Sequence, residues 1–80
     1  MSVLHLLSKQ GDVRVEWDVQ KAESGDPEAL AAIAEAERIL EEARQGGGTA
    51  FAVRNGDAEV IDKFDKTAEK IVVVPRIVGG

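Results

Sequence analysis

Ile71-Val72-Val73-Val74-Pro75-Arg76-Ile77-Val78-Gly79-Gly80 is the stretch on which the reading of this chain turns. The β-branched run from Ile71 to Val74 predicts a strand buried on both faces, and such a strand belongs in the centre of a sheet. Pro75 lacks a backbone donor and marks where pairing stops. Beyond it, Gly79 and Gly80 carry no Cβ, so they form a slim end that can thread a narrow channel and present its carboxylate. The expected organisation is one domain over residues 1–75 and a flexible C-terminal tail over 76–80.

Working back from Lys70, Asp62 to Thr67 reads as a polar crossover with Phe64 as its buried anchor. Before it, Thr49 to Val53 and Ala58 to Ile61 flank Asn55-Gly56, a strong two-residue hairpin turn. Gly46-Gly47-Gly48 reads as a flexible turn that ends a helix. That helix should start at Pro27, with Asp26 as N-cap and Glu28 at the positive end of the dipole. Leu30, Ile33, Leu40 and Ala43, with Ala36 and Ile39 beside them, form its packing stripe, while Glu35, Glu41, Glu42 and Arg44 fall mainly elsewhere. Val19 to Gly25 reads as an exposed connection.

At the N-terminus, Val13, Val15 and Trp17 alternate with Arg14, Glu16 and Asp18, the pattern of a half-buried strand with the apolar set facing the core. Gln10-Gly11-Asp12 then forms a hairpin turn after a first strand over Val3 to Leu7; a short helix over residues 3–9 is the competing reading. The resulting order, ββαβββ or ββαββ, is an α+β fold in which one long helix crosses a mixed sheet.

Composition narrows the function classes. A chain of 80 residues supports one modest core and leaves little stability for an elaborate site. Without cysteine there are no disulfides, thiolate metal ligands or cysteine nucleophiles. The net charge of −5 disfavours binding to phosphate backbones, so nucleic acid is not an expected partner. No stretch approaches a membrane span, and no signal peptide is legible, so the expected location is cytoplasmic.

The order of elements is that of the β-grasp, and the chain resembles the ubiquitin-like superfamily, closest to its sulfur-carrier branch: the small subunit of molybdopterin synthase and the thiamine-pathway carrier. The residues that carry the resemblance are Phe51-Ala52-Val53-Arg54-Asn55-Gly56, then Ile71 to Pro75, then Arg76-Ile77-Val78-Gly79-Gly80. The opening hairpin, Gly11 to Trp17, is also similar to that of ubiquitin. Two features depart from the carriers: a longer helix, and the glycine tract at 46–48.

The resemblance implies a small modifier or sulfur carrier that is not itself an enzyme. In that family the terminal carboxylate, here of Gly80, attacks the α-phosphate of ATP inside an E1-like adenylating enzyme, and a sulfur nucleophile then displaces the adenylate. The product is a thiocarboxylate that donates sulfur to an accepting enzyme, or a thioester that passes the chain to a protein acceptor. Gly79 and Gly80 would be the activated end, and Arg76, Ile77 and Val78 would contact the partner. ATP would be used by the partner, with no cofactor bound here. A second reading is a non-covalent interaction or assembly module, such as a phage or mobile-element accessory protein, with an incidental Gly-Gly end.

Other residues offer little chemistry. His5 is the sole histidine, so no multi-histidine metal centre or nucleophilic triad is expected. The glycine tract lacks the Lys-Ser/Thr of a phosphate-binding loop. Asp57, Asp62 and Asp65 read as turn residues rather than metal ligands. Trp17 shares the strand phase of Val13 and Val15 and is assigned to the core.

Overall fold

The structure, a computed structural model, describes residues 1–8 and 11–76. Its elements run β1 (Ser2–Leu6), β2 (Val13–Trp17), α1 (Val19–Glu23), α2 (Pro27–Gln45), β3 (Thr49–Arg54), β4 (Asp57–Ile61) and β5 (Lys70–Val74). The strands form one five-stranded sheet in the order β2-β1-β5-β3-β4. The β1·β5 pair is parallel and the other pairs are antiparallel. This mixed α+β sheet with one long helix is compatible with the β-grasp expectation.

Local chemistry accounts for each element. The Asp26 carboxylate accepts a hydrogen bond from the Ala29 amide at 3.2 Å, and Pro27 opens α2 where its missing donor costs nothing. Gly46 caps the other end, so the helix spans 19 residues. The β3–β4 hairpin closes through Asn55 at φ 50 and Gly56 at φ 83, the left-handed pair of a type I′ turn. Asp26→Ala should lower stability by about 1 kcal/mol through loss of the cap, measurable as a shifted urea midpoint with unchanged slope.

Leu4, Trp17, Leu40, Ile71 and Val73 are the largest fully buried side chains. They lie between α2 and one face of the sheet, with Ala36, Ile39, Ala50, Ala52 and Ala68 filling the narrower spaces. The alanines let the helix approach closely, so α2 crosses the sheet on small residues at β3 and on larger ones at β1 and β5. Trp17 also donates Nε1–H to the Lys66 carbonyl at 3.0 Å, and its ring lies 5.4 Å from that of Phe64. These contacts tie the 62–69 crossover to the first hairpin.

Several sequence expectations are corrected. Val19 to Gly25 is not a bare connection: Val19–Glu23 forms α1, because the Asp18 carboxylate accepts from the amides of Gln20 and Lys21 at 3.0 and 3.2 Å. Leu30 is 47% exposed, whereas its neighbour Ala29 is buried. Val13 shares the core face of β2, yet lies at the open end of an edge strand and remains 43% exposed. Strand β5 is central, as expected, but only Ile71 and Val73 are fully buried. Val72 and Val74 are half-buried on a sheet face that no described helix covers.

Candidate functional site

The feature singled out by the sequence begins where β5 ends, at Val74. Ile77, Val78, Gly79 and Gly80 lie outside the described residues, so the site is built from what leads to them. Pro75 follows the last paired residue, as its missing donor requires. Strand β5 holds this exit firmly, being paired on one side with β1 and on the other with β3. Arg76 is exposed, and its side chain lies across Gly47.

The glycine tract serves this exit and is more than a flexible turn. The amides of Gly46, Gly47 and Gly48 donate to the carbonyls of Glu42, Arg44 and Ala43 at 3.1, 3.0 and 2.8 Å, so the end of α2 is closed by the tract itself. Gly47 adopts φ +92, and a Cβ there would lie 2.9 Å from Arg76 Cδ. At Gly48 a Cβ would lie 2.7 Å from the Val74 carbonyl oxygen, 2.9 Å from that of Ala43 and 3.1 Å from Pro75 Cα. Backbone surrounds this position, so only glycine lets α2, β3 and the end of β5 meet. Sequence reasoning missed this, although the tract was visible, because close approach depends on which segments lie opposite.

Beside the exit, Leu6, Val13, Ile39, Ala43 and Pro75 line a shallow apolar groove of about 400 Å³ between α2 and the first hairpin. Its rim is charged. Arg38 bridges Glu35 at 2.6 Å and Glu42 at 2.9 Å along the helix. Hydrogen bonding to Glu35, and next to Glu42, holds the Arg38 guanidinium above its already high ordinary pKa, so it stays charged at any working pH. The pairs are exposed to solvent, so they contribute little to the stability of α2.

The remaining candidates take structural places. His5 is half-buried, with Nε2 3.2 Å from an Asp12 carboxylate oxygen. Asp65 accepts from the Thr67 amide at 2.9 Å and from its hydroxyl at 2.6 Å, and it also pairs with Arg54, fastening the crossover to the end of β3. Among the described residues no group of three or more histidine, cysteine or acidic side chains is placed to hold a metal ion. No described helix is long and apolar enough to cross a membrane. Trp17 belongs to the core, at 2% exposure.

Opposite α2, the sheet presents an open face that the sequence pattern did not announce. Strand alternation sends Val3, Phe51, Val53, Val60, Val72 and Val74 to this side, with Arg14 and Glu16 on the edge strand β2 and Lys70 on the central strand β5. Val60 is 64% exposed there. A patch of this kind on a small domain commonly marks an interaction site. Comparisons with protein-family models, curated proteins and solved structures give no match to this chain.

Proposed function

We propose that this chain is a β-grasp modifier or carrier of the ubiquitin-like, sulfur-carrier type, activated at Gly80 by a separate E1-like adenylating enzyme. The observation that supports this most is the placement of β5. The strand that leads to Gly79-Gly80 is the central one, held by parallel pairing to β1 and antiparallel pairing to β3. A reactive end needs such an anchor, since it must enter another protein's site while the domain stays outside.

In the proposed reaction a Gly80 carboxylate oxygen attacks the α-phosphorus of ATP and pyrophosphate leaves. A sulfur nucleophile then attacks the carbonyl carbon and AMP leaves. The chain supplies the carboxylate, ionised at neutral pH without a local base, and the partner supplies the catalytic groups. Arg76, Ile77 and Val78 are the proposed partner contacts; the fate of the activated end is a thiocarboxylate or a thioester to an acceptor.

Intact-mass analysis of the protein from its own cells, with thiol-selective labelling, tests this. The chain has no cysteine, so a label can report only sulfur gained at Gly80. An oxygen-to-sulfur mass gain, or higher-mass conjugates that vanish when Gly80 is deleted, is the expected result. An unmodified chain whose Gly80 deletion functions normally would sink the proposal. The second reading, a non-covalent interaction or assembly module, draws its support from the open sheet face and predicts that an extension after Gly80 is tolerated.

A further inference from the structure

The side of the open sheet face toward β2 holds a cavity of about 350 Å³ lined by Val3, His5, Arg14 and Lys70. Strand register explains the grouping. His5 stands opposite Arg14 across the β1·β2 pair and beside Val72 across β1·β5, while Val3 stands beside Lys70. Three neighbouring strands therefore each bring one nitrogen-bearing side chain to a single depression, with Val3 as its apolar wall. Glu16 shares this face, yet the described lining contains no carboxylate, although the chain as a whole carries −5.

The acidic groups nearby leave donors to spare. Glu16 Oε1 lies 3.1 Å from Arg14 Nε. A guanidinium carries five N–H donors, so one carboxylate at Nε does not exhaust it. Asp12 Oδ2 lies 3.2 Å from His5 Nε2 and steadies the ring from the side of the turn. Among the described residues the Lys70 amine has no ion-pair partner. An unpaired ammonium beside Val3, Val53 and Val72, none of which can accept from it through a side chain, is where a negatively charged ligand gains most.

We propose that this cavity binds a small phosphate monoester, with the phosphate held between Arg14 and Lys70 beside His5 and the organic part lying over Val72 and Phe51. The volume is near the lower end of the roughly 300–1,000 Å³ of small-molecule sites, and a few converging polar groups against apolar walls are what such sites contain. Charged donors on β2 and β5 flank β1, so they reach a ligand from two sides. A tetrahedral phosphate offers three terminal oxygens and close to two negative charges, and so accepts from both sides at once; a planar carboxylate offers two oxygens and one charge. Phe51 adjoins Val72 across the β3·β5 pair, which continues the cavity into apolar surface. The site is independent of Gly80.

Amide chemical shifts of the ¹⁵N-labelled full chain, followed while inorganic phosphate or phenyl phosphate is added at constant pH and ionic strength, test the inference. Inorganic phosphate should give saturable shifts centred on Val3, His5, Arg14 and Lys70, with Kd of the order of 1 mM for so open a site. Phenyl phosphate should bind about threefold to tenfold tighter and extend the shifts to Val72 and Phe51. Lys70→Gln and Arg14→Gln should each weaken binding about tenfold, whereas Lys63→Gln, which removes an exposed lysine outside the cavity, should not. Both cavity positions are exposed, and the dispersion of each variant's spectrum reports its fold directly. Shifts that chloride reproduces, that spread over the basic side chains at large, or that survive in the double variant R14Q/K70Q overturn the site. Phenyl phosphate that binds no tighter than inorganic phosphate overturns the placement of the organic part.

Discussion

Replacing Trp17 by alanine should leave the protein close to its unfolding midpoint at room temperature. The side chain is 2% exposed and joins two parts of the molecule: the core face of the sheet, and the crossover, which it meets through the Lys66 carbonyl at 3.0 Å and the Phe64 ring at 5.4 Å between ring centres. Truncating a buried aromatic to alanine costs about 3–5 kcal/mol. The Lys66 carbonyl, deprived of its donor, adds about 1 kcal/mol. Against the roughly 4–12 kcal/mol expected of a domain this size, that is most of what is available. Because Trp17 is the sole tryptophan and the chain has no tyrosine, urea titration must be followed by far-ultraviolet circular dichroism rather than intrinsic fluorescence. Trp17→Phe separates the contributions: it keeps most of the ring and loses the donor, and should cost about 1–2 kcal/mol. An alanine variant with a wild-type midpoint would show that the crossover does not depend on this anchor.

The role of Trp17 was legible in the sequence because it rests on strand alternation, a local signal that burial of one sheet face enforces. The same holds for the Asn55-Gly56 turn and for the bounds of α2, where Asp26, Pro27 and Gly46 each act on the backbone beside them. What could not be read depends on which segments lie opposite one another. The run Ile71 to Val74 was read as burial on both faces, yet a strand can be central and apolar while half of it faces open space, if the chain has one long helix to cover one side. The spacing of Leu30 puts it on the packing stripe, but spacing alone does not say which side of the stripe the rest of the chain covers, and Ala29 is the buried neighbour. The signal for α1 was present in Asp18, whose carboxylate caps the amides of Gln20 and Lys21. It was overlooked because five residues carry too little periodicity to stand out.

Gly48→Ala should destabilise the protein while Gly46→Ala, two residues away, should not. A Cβ on Gly48 would enter a space bounded by backbone, with the Val74 and Ala43 oxygens at 2.7 and 2.9 Å and Pro75 Cα at 3.1 Å. None of these atoms is the end of a flexible side chain, so relief requires moving α2 or the end of β5 and costs about 1–3 kcal/mol. At Gly46 the nearest atoms would lie at 3.5 and 3.6 Å, ordinary contact distances, and φ is −81. There the loss of unfolded-state freedom should make alanine neutral or stabilising by about 0.4–1 kcal/mol. Equilibrium denaturation of the two variants gives the comparison directly, and equal effects would mean that the tract acts only through flexibility. Amide exchange locates the damage: in Gly48→Ala the β5 amides at Val73 and Val74 and the last turn of α2 should lose protection before the rest of the sheet. Since β5 leads toward residues 76–80, the same variant links the glycine tract to the exit of the chain, and the Gly80-dependent reaction we propose should slow in it while Gly46→Ala reacts as the parent does.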